Sequence, residues 1–174
     1  MKSQEKILLD KKGLEATLQR LASQIAEKQA GEGPYRLVGI HTRGVPLARR
    51  LAALLQDAEP IGVLDINLYR DDLGGAADMP VVKQTVLPFP LEAARILLVD
   101  DVLYTGRTIR AALDALFDLG RPKKIELLAL IDRGGREIPI QPDFCGRVFP
   151  VSPDEIVKVH FQESDGKDEV ILRR

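Results

Sequence analysis

Residues Arg95–Thr108, RILLVDDVLYTGRT, restrict the folds open to this chain more than any other stretch. The run from Ile96 to Val99 is apolar without alternation, which suits a central parallel strand covered on both faces. It ends in Asp100-Asp101, and Thr105-Gly106-Arg107-Thr108 then leads into a helix over Gly106–Leu119. Ile109, Leu113 and Leu116 place that helix's apolar face inward, and Gly120 followed by Pro122 stops it. A second apolar run, Ile125–Ile131, follows. Two buried strands joined by a helix of this length form a right-handed crossover unit.

The other segments fit the same α/β plan. Leu14, Leu18, Leu21 and Ile25 recur at helical spacing and predict a helix over about residues 12–30, ended by Gly31 and Gly33-Pro34. Arg36–His41 reads as a buried strand, and Pro46 suits the first turn of a helix reaching Leu55. Gly62–Tyr69 alternates apolar Leu64, Ile66 and Leu68 with polar neighbours, a strand pattern with one polar face. From Arg70 to about Gln84 the pattern lapses into aspartates, Gly74-Gly75 and Pro80, as in a long loop that serves as a lid. The chain thus reads as one domain over residues 1–174, an open α/β sheet with one lid and an irregular C-terminal part.

Composition excludes several classes. With 45% hydrophobic and 29% charged residues, the chain resembles an ordinary globular protein. No apolar run approaches the roughly 20 residues that cross a bilayer, and the opening MKSQEKILLD lacks the core of a secretory signal. A cytoplasmic location is the expectation. The single Cys145 allows no intrachain disulfide, and two histidines, His41 and His160, are too few for a typical zinc site. A metal here would be a hard cation held by carboxylates and substrate oxygens. The net charge of -1 and pI near 6.2 mean that any nucleic-acid contact must use a local basic patch.

Ligands of open α/β sheets sit beyond the carboxyl ends of the strands, where Asp100–Thr108 falls. Thr105, Gly106 and Thr108 offer hydroxyls and unobstructed N–H groups at a helix start, a phosphate cradle assisted by the helix dipole. Two adjacent carboxylates suit the paired hydroxyls of a ribose or a hydrated Mg²⁺. Each piece also has a plainer reading. Acidic residues at a strand end cap turns, and Thr-Gly commonly opens helices. No Gly-x-x-x-x-Gly-Lys-Ser/Thr stretch is present to suggest a Walker-type site.

Taken together, Ile96–Thr108 resembles the thirteen-residue phosphoribosyl pyrophosphate motif of type I phosphoribosyltransferases. The resemblance implies an open, mostly parallel twisted sheet flanked by helices, with a flexible lid loop and a small irregular hood. It implies that Asp100 and Asp101 contact ribose hydroxyls, that Thr105, Gly106, Arg107 and Thr108 bind the 5′-phosphate, and that Val102, Leu103 and Tyr104 also line the phosphoribosyl pyrophosphate or nucleotide site. His41-Thr42-Arg43-Gly44 resembles the loop that receives pyrophosphate, with Thr42 and Arg43 as contacts. Arg43, Asp100 and Asp101 form the implied catalytic set, and Mg²⁺ enters with the substrate near the two acids rather than on protein ligands alone. Arg70 and Lys83 are the lid's possible anion contacts.

A longer resemblance covers nearly the whole chain. Leu68–Leu73 (LYRDDL), Val99–Leu116 (VDDVLYTGRTIRAALDAL) and Asp132–Ile140 (DRGGREIPI) are similar to segments of the family's bifunctional pyrimidine operon regulators. This implies conversion of uracil and phosphoribosyl pyrophosphate to UMP and pyrophosphate, with Arg133 and the backbone near Val157 at the base. It also implies UMP- or UTP-dependent binding of the pyrimidine operon leader RNA, controlling transcription by attenuation, and a homodimer or homotetramer. Arg20, Lys28, Arg136 and Arg147 are the candidate RNA contacts, while Ser23 and Gln141 stand where relatives can carry basic or histidine side chains and thin the patch. Tyr104 occupies a place where 6-oxopurine enzymes typically carry an aspartate, and a phenol is a poor base at neutral pH. A nucleotide-sensing RNA-binding protein with little catalysis, and a transferase for another base, are the alternatives.

Overall fold

The computed structural model describes residues 5–57, 59–69 and 84–174. Strand β1 (Glu5–Leu9) leads into helix α1 (Lys11–Glu32), whose first turn is capped by Asp10 accepting from the Gly13 amide at 2.8 Å. Strand β2 (Arg36–Ile40), helix α2 (Gly44–Leu54) and the short strand β3 (Gly62–Leu64) follow. Strand β4 (Arg95–Leu103), helix α3 (Arg107–Leu119) and strand β5 (Lys124–Asp132) form the central crossover, and strand β6 (Phe144–Val148) lies beyond it. The chain closes with strand β7 (Ile156–His160), the four-residue helix α4 (Gln162–Asp165) and strand β8 (Glu169–Arg173).

Five strands form a parallel sheet in the order β3-β2-β4-β5-β6. Period-two alternation decides its packing. Leu97 and Val99 of β4 join Leu128 and Leu130 of β5 in a core with α1 and α2. Ile96 and Leu98 point the other way, with Leu127 and Ala129, into a second core with Ile109, Ala112 and Leu116 of α3. Both faces of β4 are therefore buried, as its unbroken apolar run requires. At the amino ends of the strands, Glu126 is 2% exposed and accepts hydrogen bonds from Tyr35 at 2.7 Å, Arg95 at 3.0 Å and Lys28. This knot lies at the end of the sheet away from Asp100 and Asp101.

Two expectations need correction. The predicted strand Gly62–Tyr69 stops at Leu64, because Asp65 Oδ1 accepts from the Asn67 amide at 3.0 Å and the chain turns into a single 3-10 turn, Asn67–Tyr69. A short polar side chain that bonds its own backbone competes with a ladder. The hood is also not irregular. Its strands pair antiparallel in the order β1-β8-β7, with Glu5 opposite Arg173 and Val157 opposite Leu172. The predicted lid runs from Arg70 to about Gln84, and all of it up to Lys83, Arg70 and Lys83 included, lies outside the described residues. Among the described residues no helix is long and apolar enough to cross a membrane.

Candidate active site

The carboxyl end of β4 supplies the first wall. Asp100 is 6% exposed, and its Oδ1 accepts from the Asp101 amide at 2.9 Å. Burial pushes the Asp101 carboxyl above its ordinary range. Hydrogen bonding with Asp100 and the Val102 backbone, and the charge of Arg43, pull it part of the way back. A divalent cation carried in by a substrate would favour the ionised pair.

Next comes the turn into α3. Gly106 has φ 94°, a left-handed conformation that side-chain-bearing residues adopt only with strain. An added Cβ would also sit 3.3 Å from Ile138 Cβ. Thr105 Oγ1 accepts from the Arg107 amide at 3.3 Å, while the Thr105 carbonyl accepts from Glu137 at 2.9 Å and Ile138 at 3.1 Å. Arg107 Nε meets Glu137 Oε2 at 2.7 Å. The segment 133–140 is thereby tied across the Thr105–Thr108 turn.

The loop from β2 to α2 supplies the second wall. The His41 amide bonds the Leu64 carbonyl at 2.9 Å, and the His41–Thr42 peptide is cis. Gly44 lies so close to the Val99 carbonyl that no Cβ fits between them, and a Cβ on Gly39 would stand 2.7 Å from both the Gly44 oxygen and Val45 Cα. Two glycines thus let the loop sit directly against β4 beside Asp100. Arg43, at the start of α2, extends to the hood and donates from Nη2 to Asp165 Oδ1 at 2.8 Å.

A third cluster lies after β5. Arg133 is 6% exposed, its guanidinium carbon is 3.9 Å from the Tyr104 ring centroid, and Nη2 donates to the Ser152 carbonyl at 3.0 Å. Its Nε is buried with no hydrogen-bond partner among the described residues. Tyr104 therefore packs as a platform for Arg133. Val157 is 7% exposed on β7 and its side chain belongs to the core.

The structure draws Thr42, Arg43, Asp100, Asp101 and the Val102–Thr108 segment to one end of the sheet, with the Arg133–Tyr104 stack on the turn that follows β5. Three of the four RNA candidates bond groups within the chain. Arg136 is held by Ile140, Tyr104 and Asp132 at 2.8, 2.9 and 2.6 Å, a fastening of the turn. Arg20 donates to the carbonyls of Cys145 and Gly146, and Lys28 to Glu126, so both tie α1 to the sheet. Arg147 is exposed on the edge strand β6. Among the described residues no group of three or more His, Cys, Asp or Glu side chains is arranged to hold a metal. Two carboxylates with the remaining ligands from substrate and water suit Mg²⁺. Asp165 escapes sequence reasoning altogether. It lies 122 residues from Arg43 in a run of ordinary surface residues, and nothing local marks it.

A five-stranded parallel sheet with two loops meeting at the carboxyl end of its central strand is the phosphoribosyltransferase arrangement. The profile of the phosphoribosyl transferase domain matches residues 4–161, and the chain belongs to that family. Solved structures agree on the fold. The chain matches the Trypanosoma cruzi hypoxanthine phosphoribosyltransferase in complex with the product IMP at TM-score 0.71 and 19% identity, covering 97% of this chain and 94% of that one. It matches the Staphylococcus aureus hypoxanthine phosphoribosyltransferase at TM-score 0.72 and 20% identity, covering 95% and 89%.

Within the family, its place is with proteins named Bifunctional protein PyrR. It is 53% identical over 169 residues to the one from Pelotomaculum thermopropionicum, covering 95% of this chain and 93% of the relative. It is 52% identical over 169 residues to the one from Thermus thermophilus, with the same shares covered.

Proposed function

We propose that the chain joins uracil to phosphoribosyl pyrophosphate, giving UMP and pyrophosphate, and that it also binds pyrimidine operon leader RNA as a UMP- or UTP-dependent attenuator of transcription. The observation that carries the catalytic part is the seating of Gly44 on the Val99 carbonyl, which brings the Arg43 loop beside Asp100 and Asp101 and the Thr105–Thr108 turn. A donor with a ribose between two phosphate groups spans that arrangement. The Thr105–Thr108 turn holds the 5′-phosphate at the α3 start. Asp100 and Asp101 take the ribose hydroxyls, and Thr42 and Arg43 receive the pyrophosphate.

In the reaction the anomeric C–O bond breaks with its electron pair on pyrophosphate, a uracil nitrogen bonds the anomeric carbon, and that nitrogen's proton leaves to solvent. Mg²⁺, arriving with the donor near Asp100 and Asp101, supplies charge neutralisation for the departing anion. Arg43 stabilises the same charge through a group already fixed in place. Arg133, flattened on Tyr104, presents a guanidinium edge to the base, next to the β7 backbone at Val157. The protein needs no covalent nucleophile, because its contribution is orientation and charge.

For the RNA role, Arg20, Lys28, Arg136 and Arg147 are the proposed contacts. Arg20 and Arg147 are the exposed members, and a dimer or tetramer would multiply the patch in the assembly.

The test supplies uracil, hypoxanthine or orotate with phosphoribosyl pyrophosphate and Mg²⁺ and follows pyrophosphate release. Leader-RNA retention is measured in parallel with and without UMP. Uracil-selective release lost in Asp100→Asn/Asp101→Asn supports the transferase reading. Selective use of hypoxanthine refutes it, and inactivity with tight RNA retention leaves only the regulator.

A further inference from the structure

The hood reaches the pyrophosphate loop through one acidic segment, Gln162–Asp168. Its three carboxylates meet Arg50 of α2 and Arg43 just before that helix. Arg50 Nε and Nη2 bond the two Glu163 oxygens at 2.8 and 2.6 Å, and Nη2 also meets Asp168 Oδ1 at 2.6 Å. The Arg50 guanidinium lies 4.9 Å from the Phe161 ring centroid, so the segment is both paired and packed. The third contact, Asp165 to Arg43, leads toward the site.

Asp165 is itself rigidly held. Its Oδ2 accepts from the Phe161 amide at 3.0 Å and from Ser164 Oγ at 2.7 Å, leaving Oδ1 for Arg43. Its side chain is 17% exposed, whereas that of Arg43 is 36% exposed. Burial alone would raise the Asp165 carboxyl, but the hydrogen bonds from Phe161, Ser164 and Arg43 hold it below its ordinary range and keep it ionised. Arg43's charge is in turn felt at Asp101. One guanidinium therefore stands between a fixed carboxylate of the hood and the acid pair of β4.

We infer that Asp165 is a positioning residue for Arg43, setting the orientation in which its guanidinium meets the pyrophosphate of the donor. The inference rests on the transferase reading given above. An arginine side chain left free samples many rotamers, and fixing it in advance removes that entropy from the binding step. Asp165 engages the Nη2 end, and a guanidinium's five donors leave others for an anion. A carboxylate can accept from Phe161 and Arg43 at once. An asparagine cannot do both equally, because one of its two terminal atoms is a donor.

Asp165→Asn should raise the KM for phosphoribosyl pyrophosphate and the Kd for pyrophosphate about tenfold, the equivalent of one charge-assisted hydrogen bond. UMP carries no pyrophosphate, so its Kd should stay within about twofold. Asp165→Glu, which keeps both acceptor oxygens, should recover part of the loss. Arg50→Gln, which loosens the same segment without touching Arg43, should leave the donor KM within about twofold.

Three results would overturn the inference. They are a wild-type donor KM in Asp165→Asn, an equal loss of UMP and pyrophosphate affinity, and tighter pyrophosphate binding, which would make Asp165 a competitor of the anion. Failure of the wild-type protein to release pyrophosphate with uracil is a separate result, and it removes the transferase reading together with this inference.

Discussion

Gly39→Ala tests whether the contact between β2 and the start of α2 sets the chemistry. Gly39 itself faces no proposed ligand. It sits mid-strand, paired beside Val99 on one side and Val63 on the other. A methyl there would lie 2.7 Å from the Gly44 oxygen and from Val45 Cα, both backbone atoms without a rotamer to relieve the clash. Ordinary contact begins at 3.4 Å, so the start of α2 must retreat by the difference, about 0.7 Å, and take Thr42 and Arg43 with it. Misplacing a reacting group by about 1 Å can lower a rate on the order of a hundredfold. The expected loss in kcat/KM for phosphoribosyl pyrophosphate is therefore about tenfold or more. Overpacking should also destabilise by about 1–3 kcal/mol, seen as a Tm lowered by several degrees. Uracil-dependent pyrophosphate release, with UMP affinity as the control for an intact 5′-phosphate turn, separates the two effects. Wild-type kcat/KM in a protein of lowered Tm would refute the idea that loop placement limits the reaction.

Further predictions concern other parts of the structure. Gly106→Val forces a branched side chain into φ 94° against Ile138 and should weaken donor and UMP together, as isothermal titration would show. Tyr104→Phe should keep uracil KM near wild type, while Tyr104→Leu removes a cation–π contact worth about 0.5–2 kcal/mol and raises it by up to about thirtyfold. Equal kinetics for the two would refute the platform role. Glu126 has its carboxyl lowered to about 2 because hydrogen bonds from Lys28, Tyr35, Arg95 and Lys124 outweigh the burial that would raise it. A depressed acid stabilises the fold above its unfolded value of 4.5, and that contribution fades as pH falls toward 2. Glu126→Gln, by removing the buried acid that pairs the buried Arg95, should cost about 3–5 kcal/mol near neutrality, and urea melts should show the gap to wild type narrowing below pH 4.5.

The β4-α3-β5 unit is legible because its signals are local. An apolar run, a helical period and a Gly-Pro stop each act within a dozen or so neighbouring residues, and β4 extends only to Leu103 beyond the expected Asp101. The hood is less so, because its strand β1 is ordered only by pairing across the whole chain. Glu5–Leu9 has no period of its own to betray a strand, and it becomes one by docking on Glu169–Arg173. Alternation misleads at Gly62–Tyr69 for the opposite reason. Asp65 lies on the strand's polar face, but its carboxylate serves the Asn67 amide and ends the ladder.

The same division holds for charge. Arg43, Asp100, Asp101 and Gly106 stand out because they punctuate regular elements, and the fold places such punctuation at the carboxyl ends of strands. Lys28 and Arg136 look in sequence like other solvated cations, yet Glu126 and Asp132 hold them. A cation's availability depends on which acid lies within about 4 Å, and that acid can be 98 residues away, as Glu126 is from Lys28. Contact with RNA phosphates therefore favours cations that no buried acid holds. Arg147 meets that condition better than Lys28, so Arg147→Ala should reduce leader-RNA retention and its salt dependence more than Lys28→Ala does, provided both proteins have matched Tm. The reverse order would mean that RNA binding opens the Lys28–Glu126 pair, and that the knot at the amino ends of the strands is part of the RNA surface rather than of the core.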